Sequence, residues 1–210
     1  MSKIAKNYKM QKPYDQRSEY ILEDERVRLS PLNETDVKFL LPFAINEPDT
    51  WKYSHVSAKG ELGMRNYVST AIANRAAGKE YAFLVFDKKT QEYAGSTRFY
   101  DIQPENETLQ LGYTWYGKKF RGTGLNKHCK FLLLNFAFES LGMLRVEFRA
   151  DARNEQSIAA MKSIGCKVEG ILRSNMWLED GGRRDSIVLS ILKDEWENAV
   201  KENLEKQLRS

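Results

Sequence analysis

Polar and apolar positions alternate along RVRLSPL, Arg26 to Leu32, as they do in a half-buried strand. Directly after it, Asn33, Thr35 and Asp36 offer N-cap side chains, and Val37, Leu40, Leu41, Ala44 and Ile45 recur at helical spacing. Pro42 predicts a break in that helix, and Pro48 its end. A second helix is predicted over Gly60 to Ala77, with Leu62, Met64, Tyr67, Val68, Ala71 and Ile72 mostly on one side and Gly78 closing it. Three runs rich in aromatic and β-branched residues follow: YAFLVFD, EYAGSTRFYDI and TLQLGYTWY. The polar loops between them make the three an antiparallel meander.

From Leu125 to Leu141 apolar residues lie almost all round the helix, so it is expected to be buried against a sheet, with Gly142 ending it. The strand LRVEFRAD comes next, then a short helix opened by Asn154 and Glu155 and closed by Gly165. CKVEGILRSNMWLED and RRDSIVLSIL read as strands joined at Gly181-Gly182. In the last segment Trp196, Val200, Leu204 and Leu208 stand four apart, one apolar stripe docked on the body or on another copy, as in a homodimer. The reading is an α+β fold with a mixed, mostly antiparallel twisted sheet of about seven strands flanked by helices. Residues 1–20 read as a polar N-terminal arm, and 21–210 as a single domain with a C-terminal amphipathic helix.

Composition narrows the chemistry. Charged residues are 30% of the 210 and hydrophobic ones 41%, and no apolar run approaches the ~18 residues that span a bilayer, so a cytoplasmic protein without membrane contact is expected. The basic first residues have no apolar stretch behind them, which argues against a secretory signal. Cys129 and Cys166, with only two histidines, His55 and His128, give no metal-binding spacing, so no metal is expected. A net charge of +4 with both signs interleaved does not make the concentrated basic stripe that nucleic-acid binding needs.

One stretch carries chemistry. In KKFRGTGLN, Lys118 to Asn126, a basic turn with two glycines opens directly into the buried helix. Gly122 and Gly124 let the backbone approach a ligand, and the free N–H groups of the helix start favour an anion such as phosphate. The spacing is neither that of a P-loop nor that of the dinucleotide fingerprint.

This stretch resembles the pyrophosphate-binding signature of the GNAT superfamily of acyl-CoA-dependent N-acetyltransferases, in its RimJ/RimL-like branch: Lys119 stands at the first position, Gly122 and Gly124 at the glycines. LRVEFRADARNEQSIAAMKSIGCKVEG and LRSNMWLEDGGRRDSIVLSILKDEW resemble later family segments, so the likeness runs from Arg26 to Trp196. It implies acetyl-CoA as co-substrate, lying between the fourth and fifth strands of the seven (TLQLGYTWY and LRVEFRAD). Thr114, Trp115 and Tyr116 would flank the pantetheine arm, and Arg121, Gly122, Thr123, Gly124, Leu125 and Asn126 the pyrophosphate. Asn154 would contact the pantetheine side, a position that an ordinary N-cap would also explain.

Acetyl transfer to an amine needs a neutral nucleophile, a stabilised oxyanion and an acid for the departing thiolate. The tyrosine acid of many relatives is replaced here by Met161, and the carboxylates that some relatives use correspond to Met176 and Gln110. The catalytic candidate Ser157 resembles the serine that assists the thiolate in RimL-like enzymes, and a cap or a cofactor contact would equally explain it. Base candidates are Glu147, Glu169, Glu179 and Asp185, the last expected to pair with Arg183 or Arg184 instead. By the resemblance, Trp51, Tyr53, His55, Arg98 and Tyr100 are candidates for the acceptor side, Arg98 as a grip for a carboxylate or backbone, while core packing would equally explain any one of the aromatics. The expected activity is acetyl transfer to a primary amine, a small molecule or a protein N-terminus, by direct attack in a ternary complex. The alternative is a catalytically silent acyl-CoA-binding module of the same fold.

Overall fold

The computed structural model describes residues 14–54, 56–178 and 181–209. Eight strands form one sheet: β1 (Leu22–Glu23), β2 (Val27–Pro31), β3 (Glu80–Asp87), β4 (Glu92–Gln103), β5 (Thr108–Tyr116), β6 (Arg145–Asp151), β7 (Lys167–Trp177) and β8 (Arg183–Leu192). Their order is β1-β2-β3-β4-β5-β6-β8-β7. Every pairing is antiparallel except β5 with β6. The strand beyond the seven expected is β1, two residues too short to show a period in sequence.

Helix α1 (Val37–Asn46) contains Pro42 without interruption, contrary to the break expected there. Together with α2 (Gly60–Ala76) it covers one face of the sheet, packing Leu40, Ala44, Met64, Tyr67, Val68 and Ala71 onto Ala82, Leu84 and Trp115. The opposite face is covered by α3 (Leu125–Asn135), α4 (Glu155–Ser163), the short α5 (Lys193–Glu195) and α6 (Lys201–Leu208). A π-turn at Phe136–Ser140 extends α3 and another at Trp196–Val200 links α5 to α6. Trp196, Val200 and Leu204 are buried in the larger core, so the C-terminal stripe docks on the body of its own chain. Tyr81 holds the end of the stretch read as an arm: its hydroxyl donates to the Ser18 carbonyl and accepts from the Tyr20 N–H.

The sheet is split at its middle. β5 and β6 pair only over Thr108↔Arg145, Leu109↔Val146 and Gln110↔Glu147. Beyond that point β5 stays paired with β4 as far as Gly95↔Tyr116, and β6 with β8 as far as Asp151↔Ser186, so the two strands part while each keeps its outer neighbour. A bulge sits at the divergence: Thr97 of β4 faces both Tyr113 and Thr114 of β5, and Tyr113 takes a left-handed φ of 48°. The backbones of β4 and β5 come so close there that a Cβ on Gly95 would lie 2.0 Å from the Trp115 carbonyl oxygen.

Candidate functional site

The parting of β5 from β6 leaves the inner edge of β5, through Thr114, Trp115 and Tyr116, without a strand partner. An unpaired edge must find other hydrogen-bond partners, and an extended amide chain such as pantetheine matches it as an added strand would. Thr114 is fixed from beneath by α3. Lys130 donates from Nζ to Thr114 Oγ1 at 2.8 Å, and Thr114 Oγ1 lies 2.7 Å from Thr97 Oγ1. Lys130 is 5% exposed, and burial pushes its ammonium down from 10.5 to about 8. Trp115 packs into the α1/α2 core, its indole N–H donating to the Tyr67 hydroxyl. Tyr116 turns into the other core and its hydroxyl donates to Asn126 Oδ1 at 3.2 Å.

At the end of β5 the chain makes a short 3-10 turn, Lys118–Phe120, and then the glycine turn into α3. Gly122 and Gly124 have φ values of 73° and 88°, and a Cβ at either would meet nothing within 4 Å: the space above the turn is open. The N–H groups of Gly122, Thr123 and Gly124 have no backbone acceptor among the described residues, and that of Leu125, first in the helix, has none by geometry. Four backbone donors at the positive end of the α3 dipole suit a pyrophosphate. Side chains brace the loop from outside it: Thr123 Oγ1 donates to the Phe120 carbonyl. Arg121 points away from the open space, donating from Nε to the Tyr116 carbonyl and from Nη2 to Thr50 Oγ1, both at 2.9 Å. Lys119 pairs with Glu92, so only part of the basic charge read in sequence faces the turn.

Across the split, Asn154 caps α4, its Oδ1 accepting from the Ser157 N–H at 3.0 Å. The Ser157 hydroxyl makes no hydrogen bond to the described residues and is half-buried at the start of that helix. The base candidates are mostly engaged. Glu147 accepts from Arg145 and Arg149, and Glu169 from Arg145 and Ser190. Asp185 accepts from the Ser174 N–H and has no ion pair with Arg183 or Arg184 among the described residues, contrary to expectation. Glu179 and His55 lie outside the described residues.

The acceptor-side candidates fare differently from one another. Trp51 is 3% exposed and packs on Trp115 with ring centroids 5.2 Å apart, so it is part of the α1/α2 core and not of a groove. Arg98 and Tyr100 do line the α1/α2 face of β4, in a cluster the sequence did not reveal. Arg98 donates to Glu80 at 2.7 Å and lies against the rings of Tyr67 and Tyr113, its Cζ 4.6 and 4.3 Å from their centroids. Burial opposes its charge, but Tyr67 and Glu80 outweigh it and hold the pKa above the usual arginine value. Tyr100 meets Tyr113 edge-on at 5.0 Å, and burial raises both phenols. Tyr113 is placed there by the bulge, for which the run LGYTWY carries no signal.

Comparison with known proteins fits this geometry. Residues 26–167 match the model of the acetyltransferase (GNAT) domain. The uncharacterized N-acetyltransferase p20 of Bacillus licheniformis is 26% identical over 177 residues, which cover 83% of this chain and 97% of that one. A solved chain from T. thermophilus, described only as an acetyltransferase, is 34% identical with a TM-score of 0.80, covering 90% of this chain and 96% of that one. RimL, a ribosomal L7/L12 alpha-N-protein acetyltransferase solved with coenzyme A, is 20% identical with a TM-score of 0.70, over 84% of this chain and 99% of that one, and shares the fold. With a domain match over most of its length and a split sheet above an open glycine turn, the chain belongs to the GNAT family of acetyltransferases, enzymes that use acetyl-CoA.

Proposed function

We propose that this enzyme transfers the acetyl group of acetyl-CoA to a primary amine, a protein N-terminus in the first instance, by direct attack within a ternary complex. The carrying observation is the split: an unpaired β5 edge leads from the open turn at Gly122–Gly124 on the α3 side to the polar face under α1 and α2. Pantetheine in that split would bring its thioester from one face toward the other. RimL, which shares the fold, acts on a protein α-amine.

In this reading the amine nitrogen bonds to the thioester carbonyl carbon, the carbonyl oxygen gains charge, and the C–S bond breaks as the tetrahedral species collapses. A backbone N–H of β5 near Trp115 or Tyr116 is the donor for that oxygen. The Ser157 hydroxyl passes a proton to the leaving thiolate and takes one back from water, which receives the ammonium proton. Glu147 and Glu169 are committed to arginines, and in this reading the ammonium proton leaves through water. Alignment and desolvation in the split then carry much of the rate.

The test is acetyl-CoA with a panel of peptides and small amines, following thiol release. Turnover supports the reading. Thermal stabilisation by coenzyme A with no turnover on any amine would make the protein a silent acyl-CoA-binding module, and absence of both would remove the cofactor site itself.

A further inference from the structure

The α1/α2 face of the split carries arginines and carboxylates together, and one arginine finds no carboxylate among the described residues. Alternation along β8 sends Ile187, Leu189 and Ile191 into the larger core, so Arg184 and Ser186 lie on the opposite face, the one that also carries Arg98 and Tyr100. On β6 the same alternation places Glu147, Arg149 and Asp151 there. Among the described residues the carboxylates here are engaged: Glu80 by Arg98, Glu147 by Arg145 and Arg149, Glu169 by Arg145, Asp151 by Arg153, and Asp101 by the side-chain amides of Gln103 and Gln110. Arg184 is left over. It is 5% exposed and makes no hydrogen bond or ion pair with the described residues, and its buried Nε is unpartnered. Burial lowers its pKa, with Asp151 opposing, but an arginine remains a cation.

Arg98 is only partly paired. Only its Nη1 reaches Glu80, while the buried Nε and Nη2 meet the Tyr67 and Tyr113 side chains and no carboxylate among the described residues. Tyr113 connects the two arginines: its ring lies against the Arg98 guanidinium, and it feels the charges of both Arg98 and Arg184. Buried guanidinium donors without acceptors cost several kcal/mol. A structure bears that cost where a ligand supplies the missing anion. Coenzyme A phosphates belong to the glycine turn on the far face, whereas Tyr113 stands next to the β5 edge that would carry the thioester.

We propose that Arg184 and Arg98, on the same face of the split as Tyr113, bind a carboxylate carried by the acceptor, so that the preferred acceptor is an amine bearing a carboxylate. This deepens the acetyltransferase reading and rests on it. The carboxylate has two possible sources, the side chain of an acidic first residue of a peptide, or a free amino acid. Polyamines and basic N-termini are disfavoured by the same cations.

The experiment compares peptides beginning with Asp or Glu, the same peptides beginning with Asn or Gln, free aspartate and glutamate, and spermidine, in wild type and in Arg184→Gln. The wild type is expected to show kcat/KM at least about tenfold higher for the carboxylate-bearing member of each pair, and Arg184→Gln to bring the ratio near one by lowering kcat/KM more for the acidic member than for the neutral one. Arg184→Lys should restore part of the preference. An advantage confined to peptides, or to free amino acids, identifies the source. Binding of the acetylated acidic peptide and of N-acetylglutamate to the coenzyme A-loaded protein, by calorimetry, gives the same comparison without turnover. Loss of thiol release with carboxylate-dependent binding intact would refute the transferase reading alone. Equal binding of acidic and neutral partners, a preference for spermidine, or an unchanged ratio in Arg184→Gln, whose folding is verified by stabilisation with coenzyme A, would overturn the carboxylate site.

Discussion

The two faces of the split sheet are built by different means. On the α3 side the site comes from one continuous stretch, the end of β5, the glycine turn and the first turn of α3, and its donors are backbone groups. On the α1/α2 side the cluster is assembled from α2, β3, β4, β5 and β8, and its donors are buried side chains. A backbone site needs only a permitted conformation and open space, whereas a side-chain site needs every partner to arrive from a distant segment. The first should therefore respond to changes of shape, and the second to changes of charge.

The strongest test of that contrast is Arg98→Met. It strands the Glu80 carboxylate against two tyrosines, and breaking a buried pair in this way should cost about 3–5 kcal/mol, read by urea unfolding. The variant that still folds should keep its affinity for coenzyme A; a matching loss of affinity would show that the two faces are not separate. Next in size is Gly124→Val. With φ at 88° and nothing within 4 Å of the added Cβ, the chain should lose about 1–2 kcal/mol of stability from backbone strain while coenzyme A affinity falls by about 100-fold. Survival of affinity in calorimetry would move the pyrophosphate elsewhere.

Lys130 tests the support under the split. Its folded pKa of about 8 lies below the ordinary 10.5, so between those values the unfolded chain holds a proton that the folded chain has released, and stability rises with pH. Below about 8 folding carries the whole burden of a buried charge. Lys130→Met removes it at the loss of one hydrogen bond to Thr114, so the variant should gain about 2 kcal/mol at pH 7 and lose this advantage by about pH 10. An identical pH dependence in both proteins would refute the shift. A smaller effect is expected of Ser157→Ala, about tenfold in kcat with coenzyme A binding unchanged, if the hydroxyl delivers the thiolate's proton. Asn154→Ala should cost only about 1 kcal/mol, the worth of an N-cap, measured as a shift in Tm.

Legibility in the sequence follows the same division. The strand, turn and helix around Gly122 and Gly124 could be read because the residues are neighbours and glycine has few reasons to recur there. The cap at Asn154 was equally local. Arg98 stood out as a charge inside an apolar strand, but its partners Glu80, Tyr67 and Tyr113 lie at sequence separations that only the register of β3, β4 and β5 resolves. Arg184 looked like a partner for Asp185 because adjacent residues suggest a pair, yet alternation along β8 sends them to opposite faces. Trp51 drew attention as an aromatic residue in a loop, and a short 3-10 turn carries it into the core instead. Lys130 was hidden by an apolar helix in which one cation reads as a surface residue.

The double tie of Arg121, to the Tyr116 carbonyl at the end of β5 and to Thr50 in the connection between α1 and α2, joins the turn proposed for the donor to the side proposed for the acceptor. Whatever free energy one substrate spends in ordering that joint is spared to the other, and linkage requires the gain to be equal in either order of addition. The enzyme is thus expected to hold its two substrates together more tightly than each alone, and Arg121→Ala to make their affinities independent in calorimetric titrations. Equal cooperativity in that variant would place the coupling outside this side chain.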